Sequence, residues 1–265
     1  MNTVDAGGVT VAYRVDGNGP GLVLVHGTGG NAETNWGQIV PALAAAWTVV
    51  RPDYSGSGDT RADGTPLSAE RLAAQVVAAA EAAGSVPFDL VGFSLGAAVA
   101  TVVAADYPHL VRRVVLLGAF LSSADPRQKM QFGLWRDLIR SDRVAMARLV
   151  LVTGFSPRFL SKLGHTGIDE AMAAIVTGND WDGMARQVEL DLHIDVGVHA
   201  RRISKPVLVI GCTHDHMVPP SEARAVVTAI PGARYVELDS GHLAPLERAD
   251  ELVALLRGFC RDGHR

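Results

Sequence analysis

The stretch Gly92-Phe93-Ser94-Leu95-Gly96 decides the fold, because it stands between a predicted strand at Phe88–Gly92 and a predicted helix at Leu95–Asp106. Glycines two residues before and two after the serine remove the Cβ atoms that would clash in a sharp strand-to-helix turn. Such a turn lifts the serine hydroxyl clear of the sheet. It also places the Leu95 N–H at a helix N-terminus, where developing negative charge is favoured. The pattern predicts a nucleophilic Ser94 with Leu95 as an oxyanion donor. The duller alternative is that the glycines only let strand and helix pack closely.

Short apolar runs alternate with longer helical patterns on both sides of this turn. Runs made almost wholly of Val, Ile and Leu indicate strands that are buried on both faces, as parallel strands covered by helices must be. The predicted strands are Val9–Val15, Leu22–Val25, Thr48–Arg51, Phe88–Gly92, Val111–Leu117, Val207–Ile210 and Tyr235–Leu238. The predicted helices are Asn35–Ala46, Ser68–Ala83, Leu95–Asp106, Ser221–Ala229 and Arg248–Phe259. The alternation predicts an α/β fold with a doubly wound, mostly parallel sheet of about eight strands, in which Val9–Val15 is an edge strand.

One long interval breaks the alternation. Between about Leu121 and about Ile203 there is no clear buried strand, only helix-like stretches such as 131–140 and 144–152. A break of this length indicates an inserted element and not a loose loop. We therefore expect a core domain formed by residues 1–120 and 204–265, with a helical cap at residues 121–203. Apolar candidates for a pocket wall in and beside this cap are Phe120, Leu121, Met130, Phe132, Trp135, Phe155, Trp181 and Met184.

A serine nucleophile needs a base, and on such an elbow the chain order is serine, then acid, then histidine. His242 follows a predicted strand and precedes the last helix, at the sheet edge where such folds place their ligands. Asp215, on a short loop after the strand Val207–Ile210, is the favoured acid, and Asp125 is its rival. His214 lies too close to that acid in sequence to face it across a site.

A second glycine-rich turn, His26-Gly27-Thr28-Gly29-Gly30, follows the strand Leu22–Val25. Its backbone N–H groups could complete an oxyanion hole with Leu95, the donor being Thr28 or, as the less favoured choice, Gly29. A phosphate-binding loop is the competing interpretation, but the Lys-Ser/Thr ending of that motif is absent. His26 is expected to brace the loop.

Taken together, the chain resembles the α/β-hydrolase superfamily from about residue 10 to about residue 260. The matching pieces occur in family order: His26-Gly27, Asp53–Gly58, Gly92–Gly96, Gly211–Asp215 with Val218-Pro219, and Gly241-His242. The resemblance implies a triad of Ser94, Asp215 and His242, with Thr28 and Leu95 as the oxyanion hole. It assigns no catalytic role to the Asp53–Gly58 turn, where Ser-Gly-Ser departs from the commoner Arg-Gly or Pro-Gly.

Serine at the elbow separates the chain from relatives that use aspartate there, namely haloalkane dehalogenases and epoxide hydrolases. The resemblance implies hydrolysis of a carboxylic ester, lactone or thioester of a small to medium, moderately hydrophobic molecule through an acyl-enzyme. Carbon–carbon hydrolysis and cofactor-free perhydrolysis on the same triad are alternatives. An alternative of another class is a ligand-binding protein of the same fold with weak turnover.

Charge and composition exclude other classes. The net charge is −4 and the 24 basic residues form no long run, which argues against a nucleic-acid or membrane surface. Cys212 and Cys260 lack metal-ligand spacing, and we expect them to be reduced thiols. No signal peptide is expected from the N-terminal residues. The prediction is a cytoplasmic enzyme without cofactor or metal, whose partner is a small-molecule substrate; the sequence gives no oligomeric state.

Overall fold

The fold is described from a computed structural model. The structure describes residues 1–61 and 63–261, so Ala62 and residues 262–265 of the predicted core lie outside the described residues.

Eight strands form one sheet in the described part of the chain, in the spatial order β1-β2-β4-β3-β5-β6-β7-β8. β1 pairs antiparallel with β2, and β2 antiparallel with β4, while every other neighbouring pair is parallel. The strands are β1 Asn2–Ala6, β2 Val9–Asp16, β3 Gly21–Val25, β4 Thr48–Asp53, β5 Phe88–Phe93, β6 Val111–Leu117, β7 Val207–Cys212 and β8 Arg234–Leu238. The predicted α/β class with a mostly parallel sheet of about eight strands is confirmed.

The prediction that Val9–Val15 forms the edge of the sheet is wrong, because β1 covers it. β1 is short and polar, and it joins β2 through Gly7 and Gly8, whose φ angles of 64° and 85° form a two-residue hairpin. This Gly-Gly pair is the signal that sequence reasoning missed.

Helices cover both faces of the sheet. They are α1 Ala32–Trp36, α2 Val40–Ala44, α3 Ala69–Ala82, α4 Leu95–Asp106, α5 Pro126–Ser141, α6 Arg143–Gly154, α7 Pro157–Gly178, α8 Trp181–Asp191, α9 Gly197–Arg202, α10 Pro220–Ala229, α11 Ala244–Glu247 and α12 Ala249–Arg261. α3, α4 and α10 pack in one apolar cluster, and α1, α2 and α12 pack in the other. Side chains of the central strands alternate between the two clusters, as Leu90 and Val91 do. Cys212 and Cys260 are both free and buried.

The single helix predicted at Asn35–Ala46 is divided. α1 ends at Trp36 and α2 begins at Val40 with Pro41 in its first turn. Proline is tolerated only at that position of a helix, and Gly37 caps the preceding one, so the two residues together explain the break.

Five helices, α5 to α9, occupy the interval between β6 and β7, and we call α5–α8 the cap helices. α5, α6 and α8 contribute buried side chains to the apolar cluster, while α7 has no buried residue and is kinked at Gly164. The division into a core at residues 1–120 and 204–265 and a cap at 121–203 stays a prediction.

α8 docks by backbone contact on the turn that follows β4. A Cβ atom on Gly183 would collide with the carbonyl oxygen of Gly56, and a Cβ on Gly56 would lie 3.2 Å from the Gly183 Cα. Gly56 also has a φ of 82°, which favours glycine. This pair of glycines sets how closely the cap approaches the sheet edge.

We predict that Gly183→Ala lowers the free energy of unfolding by about 1–3 kcal/mol, because the added methyl group must push α8 off the turn. Gly133→Ala on α5 is the matched control. Its Cβ meets nothing within 4 Å, so it should stabilise the protein by up to about 1 kcal/mol through helix propensity. Urea unfolding of both variants measures the difference, and a Gly183→Ala variant as stable as the wild type would contradict the contact.

Candidate active site

Ser94 stands on the predicted strand-to-helix turn. It follows β5 and precedes α4, and its φ of 56° is the only positive value of a non-glycine residue within the described ranges. A Cβ on Gly92 would collide with the Gly96 carbonyl oxygen, and a Cβ on Gly96 with that of Val25. The glycines are therefore required by the close approach of α4 to β3 and β5, which holds the serine in its strained conformation.

His242 and Asp215 form a buried pair beside the serine. The histidine Nδ1 lies 2.6 Å from the aspartate Oδ2, and both side chains are at most 4% exposed. The other carboxylate oxygen, Oδ1, accepts hydrogen bonds from the N–H groups of Met217 at 2.9 Å and Val218 at 2.7 Å. The carboxylate is thus fixed from both sides, and with Nδ1 held by it the histidine has Nε2 free to face a reacting group.

The rivals considered from sequence are occupied elsewhere. Asp125 is exposed and caps the N-terminus of α5, where it accepts from the N–H groups of Arg127 and Gln128. The side chain of His214 is 43% exposed, and its Nε2 lies 3.0 Å from an oxygen of Asp239. Neither side chain forms a hydrogen bond with His242, whereas Asp215 does.

Ser94 and His242 line the same cavity, which has a volume of about 380 Å³. Its wall is formed mainly by cap helices α5 to α8 and by the turn after β3. Of the wall residues predicted from sequence, five line it: Phe132, Trp135, Phe155, Trp181 and Met184. Three do not, namely Phe120, Leu121 and Met130.

Helix periodicity explains one of these errors. Phe132, Trp135 and Ile139 form the buried face of α5, and Met130 projects on the opposite face with 72% of its surface exposed. Phe120 is buried instead in the core, against the ring of Phe132.

The glycine-rich turn after β3 lies against Ser94, with a would-be Cβ of Gly27 only 3.0 Å from the serine Cβ. The ring nitrogens of His26 lie 2.9 Å from the Gly27 carbonyl oxygen and 2.9 Å from Ser57 Oγ, and the ring stacks on Tyr54. Burial lowers the pKa of His26, which favours the neutral ring. His26 therefore braces the loop, and Ser57 of the unusual Ser-Gly-Ser turn is its partner.

The two candidate donors on this turn differ in their hydrogen bonds. The Gly29 N–H donates to Gln187 Oε1 at 2.8 Å, so it is already used. The Thr28 N–H has no acceptor among residues 1–61 and 63–261, and Thr28 lines the cavity. Leu95 is the first residue of α4, where a helix leaves its N–H groups unpaired. The geometry favours Thr28 over Gly29 as the partner of Leu95.

Asp191, at the end of α8, is a residue that sequence reasoning missed. Its Oδ2 accepts from Thr28 Oγ1 at 2.6 Å, and its Oδ1 is buried with no partner in the described part of the chain. Burial raises the pKa of this carboxyl to about 7, and the hydrogen bond from Thr28 opposes the shift. A signal was present: Trp181, Met184, Val188 and Asp191 share one helical face, so a carboxyl occupies an apolar position.

Glu247, also missed, joins the cap to the histidine loop. Its carboxylate accepts from the Gly241 N–H at 3.0 Å and from the N–H of Ser156 at 2.9 Å, and the Ser156 hydroxyl bonds to it as well. The N–H of Leu243 donates to the Gly154 carbonyl at 2.8 Å. The loop that carries His242 is therefore fixed to the junction of α6 and α7.

In the described ranges no helix is both long and apolar enough to cross a membrane, and no three His, Cys, Asp or Glu side chains are grouped so that they could hold a metal ion.

Comparison with known proteins identifies the family. A family model described as alpha/beta hydrolase fold matches residues 20–249. The chain is an α/β-hydrolase. This hydrolase is 64% identical over 259 residues to the pyrrolizixenacetamide deacetylase of Xenorhabdus hominickii, across 98% of this chain and 97% of that protein.

Two solved structures extend the comparison. The enol-lactonase of Burkholderia xenovorans superposes on this α/β-hydrolase with a TM-score of 0.86 at 26% identity, covering 98% of this chain and all of that one. An esterase of Thermogutta terrifontis has the same fold, with a TM-score of 0.85 at 22% identity and coverage of 99% and 97%. The relatives named here are hydrolases, and so is this protein.

We predict that Asp191→Asn stabilises the protein more at pH 8 than at pH 5. The folded-state pKa of about 7 lies above the unfolded value near 3.8, so the native state binds the extra proton. The penalty of burying this carboxyl therefore grows as the pH rises from about 4 to about 7 and is constant above that. Asparagine keeps an acceptor for Thr28 and carries no charge.

Urea unfolding of wild type and variant at pH 5, 6, 7 and 8 measures the difference in unfolding free energy, in which groups common to both proteins cancel. A difference that does not change with pH would contradict the raised pKa.

Proposed function

We propose that this chain removes an acetyl or similarly small acyl group from the nitrogen of a small, mostly apolar molecule, with Ser94, His242 and Asp215 as a catalytic triad. The observation that carries the proposal is the buried 2.6 Å hydrogen bond between His242 and Asp215. The same histidine lines the cavity that Ser94 lines. The chemistry of the bond is suggested by the 64%-identical relative, whose name denotes removal of an acetyl group from an acetamide.

The arrangement performs acyl transfer in two halves. Ser94 Oγ attacks the acyl carbonyl carbon while His242 Nε2 takes its proton, and the N–H groups of Thr28 and Leu95 stabilise the oxyanion. The carbon–nitrogen bond breaks as His242 returns the proton to the leaving nitrogen. Water, deprotonated by His242, then attacks the acyl-enzyme, and the carboxylic acid and the free serine are formed. Asp215 orients the ring and stabilises its charged form throughout.

The cavity fits a substrate of this kind. Aromatic and aliphatic side chains form most of its wall, with a few polar groups such as Asn31, Asn35 and Gln131. A volume of about 380 Å³ lies within the range of small-molecule sites. An apolar ring system can be buried there without an ion pair, while its acyl carbonyl lies at Ser94.

Ester, lactone or thioester cleavage is the second candidate. It is the substrate class that the sequence predicts, and the enol-lactonase similarity at a TM-score of 0.86 favours it. The same triad serves both reactions. Amide cleavage asks more of His242, because an amine leaves only once its nitrogen is protonated.

Ser94→Ala and His242→Ala should each lower turnover by about 10⁴-fold or more, since the members of such a triad act as a unit. A fluorophosphonate should label the wild-type protein at Ser94. His214→Ala is the matched histidine control and should retain wild-type turnover, because its side chain is exposed and bonds to Asp239. Labelling that persists in Ser94→Ala would reject the assignment.

A matched pair of chromogenic substrates, 4-nitroacetanilide and 4-nitrophenyl acetate, separates the two candidate reactions. We expect Ser94-dependent release of 4-nitroaniline from the amide. Ester cleavage with no detectable amide cleavage, also on a panel of apolar N-acetyl amines, would favour the second candidate.

A further inference from the structure

Two side chains of α8 hold the turn that carries Thr28. Gln187 Oε1 accepts from the Gly29 N–H at 2.8 Å, while its Nε2 donates to the Gly56 carbonyl at 3.1 Å. One helical turn later, Asp191 accepts from the Thr28 hydroxyl at 2.6 Å. Gln187 and Asp191 are both fully buried. α8 is thus hydrogen-bonded to two successive residues of the turn, Thr28 and Gly29.

The first contact fixes the side chain of Thr28 and the second fixes the N–H that follows it, so the Cα of Thr28 is held from both directions. The Thr28 N–H belongs to the preceding peptide group, whose Gly27 carbonyl oxygen accepts from the Gly30 N–H at 3.1 Å and lies 2.9 Å from His26 Nδ1. The α8 contacts act on this N–H by fixing the residue to which it is attached. Gly29 has a φ of 70°, a conformation from which glycine moves easily to others. Without the α8 contacts, the Thr28 Cα would be free to shift, and its N–H would shift with it relative to Ser94.

We propose that Gln187 and Asp191 are positioning residues, which hold the Thr28 N–H in the direction where it stabilises the oxyanion. The proposal rests on the proposed function of Ser94. It gives the cap a part in the chemistry besides that of forming the pocket wall.

The burial of a carboxyl here supports this role. A docking helix needs only apolar contacts to adhere to the core, and neighbouring Met184 and Val188 supply them. Asp191 instead loses hydration and leaves Oδ1 unpaired in the described structure, which destabilises the fold. What Asp191 adds at this position is the short hydrogen bond that it accepts from Thr28, and this bond restrains the glycine-rich turn.

The kinetic consequence is specific. Oriented donors act on the charge that develops in the transition state, so misorienting Thr28 should lower kcat and leave KM nearly unchanged. General loosening of the cap would change substrate binding and stability instead.

The variants are Asp191→Leu and Gln187→Met, which keep side-chain size and remove the hydrogen bonds, and Asp191→Asn, which keeps an acceptor for Thr28. Val188→Ala is the matched control, because it opens a cavity in the buried face of the same helix and leaves the hydrogen bonds of Gln187 and Asp191 to the turn in place. For each variant we would measure kcat, KM, the thermal midpoint and the rate of fluorophosphonate labelling. We would also measure the affinity of an apolar trifluoromethyl ketone, which forms a tetrahedral adduct with an active serine.

We expect Asp191→Leu and Gln187→Met to lower kcat, the labelling rate and the ketone affinity by about 10- to 100-fold with KM within about twofold. Asp191→Asn should recover most of each loss, and Val188→Ala should lower the thermal midpoint while kcat stays within about twofold. Unchanged kcat in both hydrogen-bond variants, or an equal loss in Val188→Ala, would overturn the proposal. If wild-type protein is neither labelled at Ser94 nor inhibited by the ketone, the proposed function itself fails, which is a separate result.

Discussion

A serine held at a φ of 56° is the constraint on which the rest of the site depends. Such a backbone conformation in a non-glycine residue costs about 1–3 kcal/mol and persists only where the surroundings enforce it. Here the enforcement comes from α4, which is buried along most of its length and presses on β3 and β5 at glycine positions. The free energy of packing an apolar helix between the sheet and helices α3 and α9 thus holds one hydroxyl in place.

The loops around this serine are fixed from the cap as much as from the sheet. The loop after β7 is bonded through its His216 and Met217 carbonyls to Arg127, and Gln131 donates to the latter carbonyl at 3.1 Å. The histidine loop is joined to the cap through Glu247, and the glycine-rich turn is joined through α8. Because each of these loops is hydrogen-bonded to the cap, the cap helices help to hold the site in place as well as covering it.

Local sequence predicted every strand of the described sheet except β1, and it predicted the turn that carries Ser94. Runs of Val, Ile and Leu predicted the parallel strands, and the glycines around Ser94 predicted the elbow, because both depend on residues adjacent in the chain. β1 was missed because its polar residues lack that signature and only the Gly7-Gly8 turn announces it. The partners of the turn after β3 could not be found this way, since Gln187 and Asp191 lie far along the chain from Gly29 and Thr28. Such pairings follow from how α8 docks, and a single sequence carries little information on that beyond a carboxyl at an apolar helical position.

The backbone contact between Gly56 and Gly183 has a consequence for how this architecture can vary. Gly56 lies in the turn after β4, and Gly183 lies in the first turn of α8. Neither can acquire a side chain while these two segments stay at their present distance. A cap grafted from another family member would therefore fit this core only if it brought a glycine at the matching place, together with acceptors that meet the glycine-rich turn. Exchange of caps between relatives is limited by this small junction and by the other hydrogen bonds between the cap and the loops of the site.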